Sequence, residues 1–312
     1  MTHLIEKPTQ RILVLGAGEL GIQVLRAMSQ QARRHSQTQI SVLLRPDATS
    51  AVSGARKTRL DELTAAGIHV IEGDLQNQTV DELSQLFRPF DAVINCSGFV
   101  GGPGTQIKIT RAVLNAGVAR YFPWQFGVDY DVVGKGSGQQ VWDEQLEVRL
   151  LLRAQREMEW VIVSTGIFTS YLFEPGFGVV NEKARTVYGL GNWQYAVTLT
   201  TPEDIGMLTA EIFFHQPRFR DQVVYIAGDT LTYGEIADLM QSHWGGEIHR
   251  ELLDKARLVN DVRHHPESVA AKYRLAFGRS DGVAWNKADT FNARQGINTM
   301  TAREWLAENG VG

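Results

Sequence analysis

Short apolar, β-branched runs alternate with helix-period stretches through the first half of the chain. Residues 11–15, with the apolar run Ile12–Leu15, predict a buried strand, followed by Gly16 and a helical stretch to about residue 34. Residues 39–45 predict a second strand, which Pro46 ends because proline cannot donate to a ladder. A short helix at 60–66 stops at Gly67, a third strand follows at 68–72, and a helix at 80–87 leads to a fourth strand at 92–96. Residues 106–116 predict a helix closed by Gly117; strands at 120–122 and 160–164 flank a long helix at 140–156. Strand and helix alternating at this spacing specify a doubly wound parallel sheet, an α/β fold of the Rossmann type.

Beyond Thr165 the rhythm changes. Residues 166–193 are rich in glycine and aromatics, and Thr201-Pro202-Glu203-Asp204 then opens a helix. Thr201 is its expected N-cap, Pro202 its first residue and Asp204 the carboxylate answering the cap's backbone N–H. A last strand is expected at 223–226 and a helix at 232–243, with a helical, loop-rich remainder. The expected organisation is a dinucleotide-binding domain over 8–165, with return segments near 198–228. A smaller mixed α/β region over 166–312 is expected to serve mainly substrate binding.

A chain of 312 residues is long enough for two lobes, and 43% apolar residues exclude wholesale disorder. Lys and Arg number 31 against 35 Asp and Glu, so no nucleic-acid partner is expected. The single cysteine, Cys96, forbids an internal disulfide and a multi-cysteine metal site, and no metal is expected. The least polar stretch, 160–173, is broken by Ser164, Thr165 and Ser170, too short for a membrane span. The first ten residues carry Glu6 and lack an apolar core, unlike a secretory signal, so a cytoplasmic protein is expected. Oligomeric state stays open, a homodimer included.

The strongest chemical signal is Gly16-Ala17-Gly18-Glu19-Leu20-Gly21, at a strand end and opening a helix. In this reading Gly16 makes the tight turn, Gly18 admits a pyrophosphate and Gly21 lets the helix approach the strand. Arg45 ends the second strand, 24 residues after Gly21, where an NAD site would carry a carboxylate. Its guanidinium fork suits a 2′-phosphate, so NADPH is the expected cofactor; Lys57, with Arg56 and Arg59, adds positive charge, while Asp47 pulls toward NAD. Asp74 and Leu75 follow the third strand, where Asp74 either accepts from an adenine amino group or serves as an ordinary turn residue. Ser97 and Gly98 follow the fourth strand on the same crevice. Cys96 reads as a small buried hydrophobe.

These motifs resemble the isoflavone reductase-like and NmrA-like branch of the atypical short-chain dehydrogenases. The likeness is carried by the glycine loop, Arg45, Ile71-Glu-Gly-Asp-Leu75 and above all Ala119-Arg-Tyr-Phe-Pro-Trp-Gln-Phe-Gly-Val-Asp129. It continues through Ile162 to Phe168 and the helix start at Thr201. The resemblance implies a lobe holding NADP(H) and a pocket for an aromatic substrate, with Phe122 and Pro123 beside the nicotinamide and Gly166 to Phe168 on its other side. Two departures from the family pattern stand out. Its serine–glutamate pair is Trp124-Gln125 here, and Gln145 stands where its reductases carry a catalytic lysine.

Gln145 has no titratable proton at physiological pH, so it either packs or orients a ligand. The proton of a reduction is then left to Tyr171, to Lys135 in the Gly134–Gly138 loop, or to water. Trp124, Phe126, Phe168 and Trp193 are the expected aromatic walls of the pocket. Two functions follow: an NADPH-dependent reductase of an aromatic or polyketide-like metabolite, acting on a carbonyl, quinone-type or activated double bond, or a non-catalytic NADP(H) sensor of the NmrA type.

Overall fold

The computed structural model describes residues 10–35, 37–46, 54–99 and 101–310. The chain divides into two compact units. The first comprises residues up to Gln125, Glu147–Val163 and Ile205–Val223; the second comprises Phe126–Leu146, Ser164–Asp204 and Val224 onward. Residues 126–146, inside the stretch read as the dinucleotide-binding domain, therefore belong to the second unit.

The first unit is built on a sheet whose strands come from the apolar runs. They are β1 (Gln10–Leu15), β2 (Thr38–Leu44), β3 (His69–Glu72), β4 (Ala92–Asn95), β5 (Arg120–Phe122) and β6 (Glu159–Ser164). These six pair in parallel, with Leu13 opposite Ser41 on one side and Val93 on the other. With Gln222–Tyr225 as the seventh strand, the order reverses between β1 and β4. In a doubly wound sheet that reversal opens a crevice at the strands' carboxyl ends. Helices α1 (Glu19–Ala32), α2 (Gly54–Ala65), α3 (Val80–Phe87) and α4 (Thr105–Ala116) link the strands. Thr79 and Glu82 cap α3 reciprocally, and α4 ends on a left-handed Gly117. Leu13, Val93, Ile109, Tyr121 and Trp160 are buried together between sheet and helices.

The second unit holds two three-stranded sheets that the glycine-rich sequence hides. In one, Ala196–Thr200 pairs antiparallel with Asp229–Thr232 and parallel with Ile167–Phe168. In the other, Thr186–Leu190 pairs parallel with His249–Leu253 and antiparallel with Val180–Asn181. Residues 198–200, the start of the segments expected to return to the dinucleotide-binding domain, belong to one of these smaller sheets. Their core gathers Trp142, Phe177, Leu199, Tyr233, Met240 and Phe277. Thr201 caps the helix Pro202–Phe214 as expected, accepting from Asp204 N at 3.1 Å. The Asp204 carboxylate differs from expectation by taking the backbone N–H of Met300 at 2.8 Å.

Candidate functional site

At the carboxyl ends of β1 to β4 lies a cleft of about 330 Å³, contained in the first unit. Gly16, Ala17, Gly18, Arg45, Asp74, Leu75 and Ser97, all singled out from sequence, line it together. The three glycines of the loop play different roles. Gly16 sits at φ +88°, where an L side chain is strained. A Cβ on Gly21 would lie 2.3 Å from the Gly16 carbonyl oxygen, so the helix rests on the loop at backbone contact. A Cβ on Gly18 would meet nothing within 4 Å and would stand in the open space of the cleft. Gly18 is also the N-cap of α1 and supplies no side-chain bond to it. The positive end of a 14-residue helix thus meets the loop with no side-chain cap, a setting that favours an anion. Leu20 is buried behind the loop and Glu19 is exposed.

The cations at the other end of the cleft rearrange the expected set. Arg45 lines it, whereas Lys57 is absent from the lining and ion-pairs with Asp61 one turn along α2. Arg59 takes the place expected of Lys57. It lines the cleft and donates Nη1 to the Ala17 carbonyl at 3.0 Å, tying α2 to the glycine loop. Its role was hidden because α2 starts at Gly54, six residues before the expected helix, which sets the helical phase of the basic run. Asp47 and the side chain of Arg56 lie outside the described residues.

Asp74 accepts three bonds within its own turn. Its Oδ1 accepts from Gln76 N at 2.8 Å and Asn77 N at 3.1 Å, and its Oδ2 from Asn77 Nδ2 at 2.7 Å. The Asn77 side chain foremost, helped by these N–H groups and by Arg45, holds its carboxyl below the usual range despite some burial. Burial pushes the Cys96 thiol far up, which leaves it an inert wall. Ser97 and Gly98 are held from beneath by Asn95 and Gln106, two buried amides that the strand and helix patterns did not mark.

Phe122 and Pro123 are buried in the first unit. The Phe122 ring packs on Phe213 at 5.4 Å and beneath the Arg120 guanidinium. Trp124 is half-buried, edge-on to Phe99 at 4.1 Å.

In the second unit, Gly166 sits at φ +73°, and a Cβ there would fall 2.0 Å from the Thr198 carbonyl oxygen, which fixes it as a strand-contact glycine. Phe126 is buried; Phe168 is half-buried and precedes the short helix Thr169–Phe173. Trp193 covers Gly189 and packs on the core, a supporting rather than an open wall. The three residues named for proton chemistry occupy three environments. Gln145 is only 1% exposed, Lys135 is exposed, and Tyr171 is half-buried with its ring 5.0 Å from Phe177 and 5.8 Å from Tyr273. Burial, then the charge of Glu174, raises the Tyr171 phenol above its ordinary value. A groove along the same helix carries Phe173 stacked on Trp305 at 5.2 Å, an aromatic pair that sequence reasoning missed because Trp305 lies in the last helix. Among the described residues no cluster of metal-ligating side chains occurs, and no helix is long and apolar enough to cross a membrane.

The reversed strand order, the open helix N-terminus and the cationic end of the cleft define a dinucleotide-binding α/β protein. The model of the NmrA-like family matches residues 8–282, and the chain belongs to that family. An NmrA-like family domain-containing oxidoreductase of Gibberella moniliformis is 43% identical over 301 residues, covering 96% of this chain and 98% of its own. Phenylcoumaran benzylic ether reductase of Betula pendula is 26% identical, covering 70% and 71%. A crystal structure of isoflavone reductase superposes with a TM-score of 0.76 over 96% of this chain and 99% of its own, at 21% identity.

Proposed function

We propose that the protein is an NADPH-dependent reductase of an aromatic or polyketide-like secondary metabolite, acting on a carbonyl, quinone-type or activated double bond. The observation that carries this reading is the first unit's cleft. It offers space over Gly18 at an uncapped helix N-terminus, with Arg45 and Arg59 at its far end. That donor set fits a pyrophosphate and a 2′-phosphate. NADPH supplies the hydride when bound; the chain has only to orient the acceptor and settle one proton.

In this reading Arg45 and Arg59 bind the 2′-phosphate, the first turn of α1 binds the pyrophosphate, and the second unit binds the acceptor. Tyr171 keeps its proton at neutral pH, because burial holds its phenol up, and it donates a hydrogen bond to the acceptor oxygen. Gln145 holds that arrangement as a neutral amide and moves no proton. The enzyme acts in the cytoplasm on a small aromatic molecule.

Gln145 also favours a second reading, an NADP(H) sensor, because a buried amide replaces the lysine expected of the family's reductases. Fluorescence titration with NADPH and NADH separates cofactor binding from none. Following nicotinamide absorbance with aromatic carbonyls, quinones and benzylic alkenes then separates the two readings. Oxidation of NADPH by one acceptor class establishes the reductase, and tight binding with no oxidation establishes the sensor.

A further inference from the structure

The groove along the short helix Thr169–Phe173 lies wholly in the second unit and holds about 500 Å³, within the range of small-molecule sites. Three segments far apart in sequence build it. Phe173 and Glu174 come from the short helix and its end, Glu182 and Tyr188 from the antiparallel pair Val180–Asn181 and Thr186–Leu190, and Trp305 and Gly310 from the last helix, Ala302–Asn309. Phe173 is 4% exposed and stacks on Trp305 with the ring planes 7° apart, while Trp305 stays half-buried along the groove. A buried ring therefore backs an accessible one, a preformed flat surface for another π-system.

The polar groups around that surface are unspent. Among the described residues, the Glu174 and Glu182 carboxylates form no ion pair and accept no hydrogen bond, and the Trp305 indole N–H and Tyr188 hydroxyl donate none. Glu182 is half-buried, so its charge is partly withdrawn from water without a partner, a cost that a cation removes. The last helix ends at Gly310 in the groove with no basic residue in its final turn, so its negative end adds to the two carboxylates. Lys183 is the opposing charge in the lining; Arg274, which approaches Gly178 from behind, spends its Nη1 on the Phe177 carbonyl at 3.1 Å. We infer that this groove binds a small aromatic cation, a flat ring carrying a protonated amine. The ring packs on Trp305 and the ammonium meets the carboxylates. The site is separate from the cleft of the first unit and independent of what that cleft binds. Tyr171 shares the short helix but does not line the groove.

The test varies charge on one ring. Tryptamine, indole-3-propionate and 3-methylindole carry a positive, a negative and no charge, and calorimetric titration of the wild type is expected to favour tryptamine about tenfold over the other two. Trp305→Leu and Glu182→Gln are each expected to weaken tryptamine about fivefold, and Glu182→Lys to turn the preference toward indole-3-propionate. Thermal melts show whether Trp305→Leu still folds; if it does not, the two Glu182 variants carry the test. NADPH titrations on the same proteins are expected to match wild type. Three indoles bound alike, tryptamine affinity unchanged in the folded variants, or no tryptamine binding by the wild type overturns the assignment. A parallel loss of NADPH affinity in a folded variant overturns the separation of the two sites. A dimer in sedimentation that Trp305→Leu dissolves, with no indole bound, gives the groove to a second copy of the chain and overturns the assignment too. A wild type that binds tryptamine but not NADPH supports this site and fails the cofactor reading alone.

Discussion

Arg149 donates its Nε to Gln125 Oε1 at 2.9 Å, and both side chains are wholly buried in the first unit. A neutral amide oxygen thus accepts from a buried guanidinium. Gln125→Leu removes that acceptor and leaves a buried charged donor short of one bond. The expected cost is about 1.5–3 kcal/mol of unfolding free energy, the range for hydrogen bonds to charged groups. Urea denaturation of wild type and variant measures it; an unchanged midpoint would mean that Arg149 is held by its other partners.

The glycines of the loop should separate by phenotype. Gly18→Val places its side chain in open space, so the circular dichroism and melting temperature should stay near wild type while NADPH binding is abolished. Gly21→Ala instead drives a methyl to 2.3 Å from the Gly16 oxygen. The helix must then lift, at about 1–3 kcal/mol of stability. Thermal melts paired with NADPH titrations distinguish the two outcomes, and a destabilised Gly18→Val would contradict the open space assigned to it.

The cationic end of the cleft makes a prediction about cofactor choice. Arg45→Asp should weaken NADPH far more than NADH, because a charged contact to the 2′-phosphate contributes about 1.5–3 kcal/mol. Arg59→Ala should act in the same direction, and Lys57→Ala should leave both cofactors unaffected because its ammonium is engaged by Asp61. Calorimetric titration with both dinucleotides is the measurement. Equal wild-type affinities for NADPH and NADH would remove the basis for the assignment.

Asp204 carries a pH prediction. Burial foremost holds its carboxyl above the ordinary value, against the opposing bonds from Met300 N–H and Thr201. A carboxyl raised on folding favours the folded state most below its unfolded pKa of about 3.9, and that contribution is lost as pH rises through the folded value. Asp204→Asn keeps an acceptor for Met300 N–H without the buried charge. The variant should therefore match or exceed wild type in stability at neutral pH, and the two should converge in acid. Denaturation across a pH series checks the sign; a variant weaker at neutral pH would show that the charge itself is stabilising.

Most of the large sheet was legible because its strands are continuous apolar runs and its helices end on glycine, as at Gly67 and Gly117. The small sheets were not. Thr186–Leu190 carries tyrosine and glycine in its middle, Ala196–Thr200 is only five residues long, and the pairing of both is set by partners far along the chain. Within the cleft, residues whose backbone matters were readable from their type, Gly16 and Gly21 above all. Arg59 and Lys57 could not be told apart without the helical phase of α2. Asn95 and Gln106 read as stray polar residues, since nothing local shows that their amides close a ring through Ser97.

The alternation of the two units along the chain bears on how the protein is made. The first unit collects its last strand and helix from residues as late as Val223, after two excursions into the second. No single cut in the gene frees a complete nucleotide-binding lobe, and truncation at residue 165 removes the helix whose Gly206 lies against the backbone of Gln23. On the ribosome, β1 and its glycine loop emerge first but wait for about two-thirds of the chain before their own unit can close. Until then the surface that this late helix covers, around Gln23, stays open, and exposed apolar surface in a growing chain invites aggregation.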